Sequence, residues 1–289
     1  MRPRGVYPAI ALAILCMSTA SIMIRWCSAP PLIVAMYRVI FTAIIAVPLV
    51  RGSFIAGVKN ISGRDLIYIA GAGFFLALHF AFWITSLDYT SVSSSVLFTN
   101  LQVIFVLLFS FLLLQEKINI KALGGIFLAL VGSSLVAGGD WHQGRLLGDL
   151  LALLSGLFVA VYILAGRRVR ARVEAMSYTA LVSGAAGFTL LLAALISGQD
   201  FFSYPARDWL LFVLLALGPG IAGHGIIIWA LKYIKAPVVA VSILGESVGA
   251  SILAFFIFGE SLLWYQLAGG CLILSGIYTA AVNERSDCA

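Results

Sequence analysis

Ten apolar runs dominate this sequence, and they decide what it can fold into. Eight carry no formal charge: 5–24, 66–87, 89–115, 122–139, 150–166, 175–199, 209–231 and 261–283. Two more are broken once each, 26–50 by Arg38 and 236–259 by Glu246. A helix that crosses a bilayer needs roughly 20 apolar residues, so ten spans use about 200 and leave only short links and tails. Hydrophobic residues make up 62% of the chain and charged ones 10%. Soluble domains hold roughly 45–50% and about 25%. That balance excludes a soluble enzyme, a disordered chain and a secreted disulfide scaffold. A membrane barrel would alternate apolar and polar residues between long loops, and this sequence does neither. The expected fold is an all-α integral membrane protein of ten transmembrane helices.

The net charge of +6 reads as topology, not as a nucleic-acid surface, because the basic residues sit in the links. With the N-terminus inside, fourteen Lys and Arg fall on the inner side, among them Arg2, Arg4, Arg51, Lys117, Lys121, Arg167, Arg168, Lys232 and Lys235. The outer links hold only Arg25, Arg145 and Arg207. Such a bias follows the positive-inside rule, so both termini are expected in the cytoplasm and the protein in the cytoplasmic membrane. The basic start before the first run imitates a secretion signal. A matching run opens the second half, so the first is read as a retained span. Cys16, Cys27, Cys271 and Cys288 fit no disulfide or metal spacing, and no cofactor is expected.

The chain also resembles itself. At a shift of 144 residues Glu116 falls on Glu260, Gly125 on Gly269 and Gly132 on Gly276. At neighbouring shifts His79 meets His224, Trp83 meets Trp229 and Arg25 meets Arg167. Residues 1–139 and 140–289 therefore read as two five-helix repeats. Five is odd, so the second copy must enter the membrane the opposite way. The link charges agree. Link 3–4 carries Asp88 and no cation, while its counterpart, link 8–9, carries Lys232 and Lys235; link 4–5 carries Lys117 and Lys121, while its counterpart has no charge. Inverted repeats of this kind are the layout of many secondary transporters.

Particular motifs carry a family resemblance. Thr90-Ser91-Val92-Ser93-Ser94-Ser95 opens span four and Leu114-Gln115-Glu116-Lys117 closes it. Lys235-Ala236-Pro237-Val238-Val239-Ala240 opens span nine, Leu244-Gly245-Glu246-Ser247-Val248 lies within it, and Phe258-Gly259-Glu260 closes it. In this paired arrangement the chain resembles the drug/metabolite transporter superfamily, EamA type, over nearly its whole length. Where that family often has a proline after the span-nine glutamate and at the matching place in span four, this chain has Ser247 and Gln102. The resemblance implies export or exchange of small metabolites through a central cavity between the halves.

Polar residues inside the runs are the candidates for a site, since each is costly in lipid. Glu246 lies mid-span, on one helix face with Val239, Ser242 and Gly249. It can bind a cationic group or carry a coupling proton, or lock helix packing as a neutral carboxyl. Arg38 can snorkel to the interface or bind an anion. His79 and Trp83 share a face of span three, and His224 holds the matching place in span eight. Ser91, Ser95, Thr99 and Gln102 form a polar stripe on span four, with Asn100 beside it. The expected substrate-binding set is His79, Trp83, Ser95, Asn100, Gln102, His224, Ser242 and Glu246, with Glu246 and His224 the coupling candidates. Trp229, next to Lys232, reads as an interfacial anchor. Gly218-Pro219-Gly220 in span eight and Gly71-Ala72-Gly73 in span three predict helix breaks at related places. Gly125, Ala129, Ser133 and Ala137 form a small-residue stripe suited to close helix contact within the bundle or in a homodimer.

Gly245-Glu246-Ser247-Val248-Gly249 matches the G-x-S-x-G of serine hydrolases. That motif works on a strand-turn-helix elbow, and here it lies in an apolar helical run. The sequence contains no phosphate-binding G-x-x-x-x-G-K-[ST] loop. The reading is a non-enzymatic secondary carrier of a small solute in the lipid bilayer. A channel or a membrane-embedded enzyme is the alternative.

Overall fold

The computed structural model describes residues 5–50, 54–90, 92–136, 146–258 and 263–286. The expectations for Arg2, Arg4, Arg51, Ser91, Ala137, Arg145, Gly259, Glu260 and Cys288 lie outside the described residues. Among the described residues, nine helices are long and apolar enough to cross a membrane. They are Val6–Trp26, Pro31–Leu49, Gly63–Tyr89, Ser95–Leu114, Leu146–Val169, Ala175–Ile196, Ala206–Ala230, Ala236–Ile257 and Trp264–Asn283. A further apolar helix, Ile120–Val136, has 17 residues and stands where span five is expected. With it, the helices are numbered here as spans one to ten.

Local chemistry sets the helix starts. Ser62 caps span three, its Oγ accepting from the Asp65 N–H at 3.1 Å. Glu174 does the same for span seven through the Ser177 N–H at 2.8 Å. Pro31 and Pro237 occupy first-turn positions, where a missing N–H costs nothing. The outward faces are apolar: Ile67, Phe127, Phe188 and Phe256 are exposed. Such a surface suits lipid, and in water it would drive association.

Four spans are not regular helices. Span one breaks at Thr19, span four at Leu101 and span nine at Leu244. The last two are 143 residues apart, so they are equivalent places in the two repeats. Neither break has a proline; at both, the chain tightens to an i→i−3 bond (Leu101 N–H to Phe98 O, 3.3 Å; Leu244 N–H to Val241 O, 3.1 Å). Span eight instead widens into a π-helix over Ala216–Gly225, around Pro219. Proline lacks an N–H and cannot bond to the carbonyl four residues back. The predicted partner break at Gly71-Ala72-Gly73 does not occur, since Gly63–Tyr89 is one continuous helix. No proline interrupts its ladder, and Gly73 serves a different purpose. A Cβ there would lie 2.5 Å from Ala185 Cβ and 2.8 Å from Val182 O, so the glycine lets spans three and seven touch.

The packing relates the two halves. Spans five and ten meet backbone to backbone at glycines. A Cβ on Gly125 would lie 2.7 Å from Gly276 O, and one on Gly269 would lie 2.6 Å from Gly132 O. Gly125 thus faces Gly276 while Gly132 faces Gly269, so the two helices run antiparallel, as repeats of opposite direction require. This places Gly125 and Ala129 within the bundle. Span three packs on span six, and span eight, in the other repeat, packs on span one.

Polar ties close both ends. At one end Arg172 donates to both Asp65 oxygens (3.0 and 2.5 Å), and Arg167 pairs with Glu116 at 2.6 Å. At the other, Asp208 accepts from Ser28 N–H, Ser28 Oγ and Ala29 N–H at 2.9, 2.7 and 3.0 Å. Asp149 there accepts from Thr90 Oγ1 at 2.8 Å. Each tie joins links of one parity, as a chain that crosses a membrane at every span demands.

Candidate functional site

A small cavity lies at the centre, between the two repeats. Arg38, His79, Phe80, Trp83, Thr99, Asn100, Gln102, His224 and Glu246 line it, together with apolar residues of spans one, four, six and nine. Its volume is about 40 Å³. One water occupies roughly 10–15 Å³ on this scale, so the cavity holds a few waters and no metabolite in this conformation.

The breaks in spans four and nine deliver its polar groups. Asn100 stands directly before Leu101, and its Nδ2 donates to Ser247 Oγ at 2.8 Å and to Ser133 Oγ at 3.2 Å. One amide thus ties span four to spans five and nine. Gln102 follows the same break, and its Oε1 is buried without a hydrogen-bond partner. Glu246 comes two residues after the break at Leu244. Ser247, the serine of the G-x-S-x-G match, lies inside the helix Gly245–Phe258 and not on a strand-turn-helix elbow.

Span three supplies the aromatic wall. His79 Nδ1 is 2.8 Å from Ser155 Oγ and 3.2 Å from Ser155 O, which fixes the ring against span six. The ring lies parallel to Trp83 with centroids 6.2 Å apart. His224 is 6.5 Å from His79, 5.5 Å from Phe80 and 6.1 Å from Tyr162, centroid to centroid. The π-helix around Pro219 places His224 there: Gly220 and Gly223 let the backbone of span eight settle on Thr42 and Met17.

Arg38 is the strongest feature that sequence reasoning left outside the expected binding set. It does not snorkel. Only 2% of it is exposed. Its guanidinium carbon sits 4.1 Å from the centroid of Phe80, and its Nε and Nη1 have no hydrogen-bond partner. Among the described residues it makes no ion pair within 4.0 Å, although Glu246 lines the same cavity.

Six of the eight expected residues meet here: His79, Trp83, Asn100, Gln102, His224 and Glu246. Ser95 and Ser242 do not. Ser95 Oγ bonds Ser86 Oγ at 2.6 Å, joining spans three and four. Ser242 Oγ donates to Val238 O of its own helix at 2.8 Å. Phe80 and Tyr162 were missed; an apolar or aromatic residue in an apolar helix carries no sequence mark of the face it occupies.

A bundle that turns apolar side chains outward and gathers polar ones between two oppositely directed repeats has the build of a membrane transporter. The model of the EamA-like transporter family matches twice, at residues 5–138 and 146–282, and the chain belongs to that family, within the drug/metabolite transporter superfamily. A curated protein of Archaeoglobus fulgidus, named an uncharacterized transporter, is 25% identical over 94% of each chain. Uncharacterized transporter YcxC of Bacillus subtilis is 28% identical over 72% of this chain and 70% of its own. A solved crystal structure superposes with a TM-score of 0.75 at 21% identity, over 97% of this chain and 98% of that one. At that identity the likeness concerns the fold.

Proposed function

We propose that this protein is a secondary carrier that exports or exchanges a small metabolite across the cytoplasmic membrane by alternating access. One observation carries the reading: a small cavity at the interface of two inverted repeats, into which Arg38, His79, Asn100, Gln102, His224 and Glu246 gather. Two packings related by that symmetry expose one site to the two sides in turn. The end that carries Lys117, Arg167, Arg172, Lys232 and Lys235 is assigned to the cytoplasm by the positive-inside rule, and with it both termini. Residues 1–139 and 140–289 are the two repeats of opposite topology. Glu246 is the coupling group, because a mid-span carboxylate that faces Arg38 across the cavity without an ion pair within 4.0 Å among the described residues can take up and release a proton in step with solute. His224 is the second candidate. The other cavity residues shape the solute site.

The test is release from proteoliposomes loaded with a mixed small-metabolite extract, with and without an imposed pH gradient, read by mass spectrometry. Selective release of a few compounds, faster with the gradient and saturable in counterflow, is expected. Folded, correctly oriented protein that releases nothing, or whose release ignores the gradient, contradicts proton-coupled carriage.

A further inference from the structure

The geometry points to Arg38 as an oxyanion-binding residue, so that the transported solute carries a carboxylate or a similar acid group. This rests on the carrier reading above and narrows its substrate class.

Three observations meet on this residue. The first is its unused hydrogen-bonding capacity. Arg38 is buried in the middle of span two with Nε and Nη1 unpartnered. A buried guanidinium without an acceptor is costly, and a fold keeps one where something else completes it. Phe80 covers the face of the cation, but its ring offers no acceptor to the in-plane N–H groups. Nε and Nη1 lie on different edges of the guanidinium, and each forms with Nη2 a fork that takes a carboxylate through two parallel bonds.

The second is position. Arg38 lines the central cavity and also a smaller one beside it, with Thr42, Tyr162, Thr179, Ser183 and His224. Thr179 Oγ1 in this second cavity is likewise buried and unpartnered. It adds a hydroxyl donor near the guanidinium.

The third is the approach. A vestibule of about 730 Å³ opens at the basic end, lined by Arg170, Arg172, Lys232, Glu174, Gly225 and apolar residues. Its wall at Gly225 is one residue from His224. A Cβ on Gly225 would lie 3.4 Å from Met176 Cε and 4.0 Å from Thr179 Oγ1. With Arg172 paired to Asp65, Arg170 and Lys232 against Glu174 leave the vestibule a net positive charge, which raises the local concentration of anions on the side of Gly225 next to His224. Glu246 lines the same cavity and is the anionic neighbour of Arg38; an entering acid group competes with it for the guanidinium, and a hydrogen-bond-donating group on the same solute would then satisfy Glu246.

The experiment uses purified full-length protein and matched probes that differ only in the acid group: phenylacetate against phenylacetamide, L-valine against L-valinamide, and 4-aminobutyrate against its amide. Apparent affinity is read from thermal stabilisation at graded concentration and from inhibition of counterflow. An acid is expected to bind at least about tenfold more tightly than its amide, the range for a charge-assisted hydrogen bond. Arg38→Gln should abolish that preference. Arg38→Lys keeps the charge but loses the fork, so it should keep a reduced preference, and it serves if the glutamine variant fails to fold. The inference is overturned if no acid outperforms its amide, or if the preference survives in folded Arg38→Gln or is undiminished in Arg38→Lys. Counterflow that persists without any preference for acids would sink this inference and leave the carrier reading standing; absence of all counterflow would sink the carrier reading itself.

Discussion

Glu246 and Arg38 show how much a single side chain decides in an apolar bundle. Glu246 is partly buried, lines the cavity and is free of an ion pair among the described residues. Replacing it with Gln keeps its shape and removes its charge. Glu246→Gln takes the counter-charge away from the buried Arg38 in the same cavity, so it is expected to lower stability in detergent by about 1–3 kcal/mol while the protein still folds, and to abolish gradient-driven transport. A folded mutant with normal rates and normal pH dependence would refute the coupling role. A second residue-scale prediction concerns a link. Hydrogen bonds from the Ser203 side chain and from the Phe202 and Ser203 N–H groups hold the Asp200 carboxyl below its ordinary value of 3.8. A depressed carboxylate stabilises the fold above its unfolded pKa and loses that contribution as pH falls through the folded value. Hydrogen exchange in residues 198–205 should therefore quicken as pH drops below about 4 beyond the intrinsic exchange rate. Asp200→Asn should remove that dependence, and a profile unchanged by the substitution would refute the assignment.

At the scale of elements, glycine placement carries the most specific prediction. A Cβ on Gly132 would meet Gly269 O at 2.5 Å and Ile273 N at 2.7 Å, both backbone atoms that cannot swing aside. Gly132→Ala should destabilise by about 1–3 kcal/mol through overpacking, read as a lower midpoint of unfolding. Gly124→Ala is the control: its Cβ would meet nothing within 4 Å, and helix propensity favours the change by up to about 1 kcal/mol. Equal effects at the two positions would show that spans five and ten do not meet at these glycines. Much at this scale was legible in the sequence. Charge-free runs found the helices, the motif with Pro237 marked the start of span nine, and the small-residue stripe through Gly125 and Ala129 marked a close helix contact without naming its partner. The breaks at Leu101 and Leu244 were not legible. Neither is a glycine or proline, and each arises where a turn tightens to bring Asn100 to Ser247. The sequence suggested a break at Gly71-Ala72-Gly73 instead, because glycine permits a break without requiring one. Packing on span seven kept that helix whole.

For the whole molecule, the inverted arrangement could be read from the exchange of charges between equivalent links. Cavity membership could be read only for polar residues. Spacing along one helix shows which residues share a face, but not which neighbour that face meets. Arg38 and Phe80 belong together only because spans two and three pack side by side. The same holds for Glu116. It accepts from Arg167 at 2.6 Å, from Ser110 Oγ at 2.7 Å and from the Ala236 N–H at 3.2 Å. It thereby ties spans four, six and nine at the basic end. The Arg167 side chain is 26% exposed, so solvent screens part of the pair and its loss is worth about 1–2 kcal/mol. Glu116→Gln should then shift the two-state equilibrium roughly tenfold toward opening at this end. Faster labelling there of a cysteine placed in the cavity would show it, and unchanged labelling would argue against a gating contact.

The proposed carriage needs one central site that faces the two sides of the membrane in turn. The most direct measurement places a single cysteine at Thr99, which lines the cavity, in protein whose four native cysteines have been replaced. An impermeant thiol reagent is then applied from either side and its attachment at position 99 read by mass spectrometry, with and without a bifunctional thiol cross-link set beforehand between cysteines at positions 116 and 167, whose side chains meet at the basic end, to lock that end. Alternating access predicts labelling from both sides in the unlocked protein, and from the opposite side alone once the lock is formed. Labelling from one side only, or undiminished labelling from the basic end with the lock closed, would contradict it.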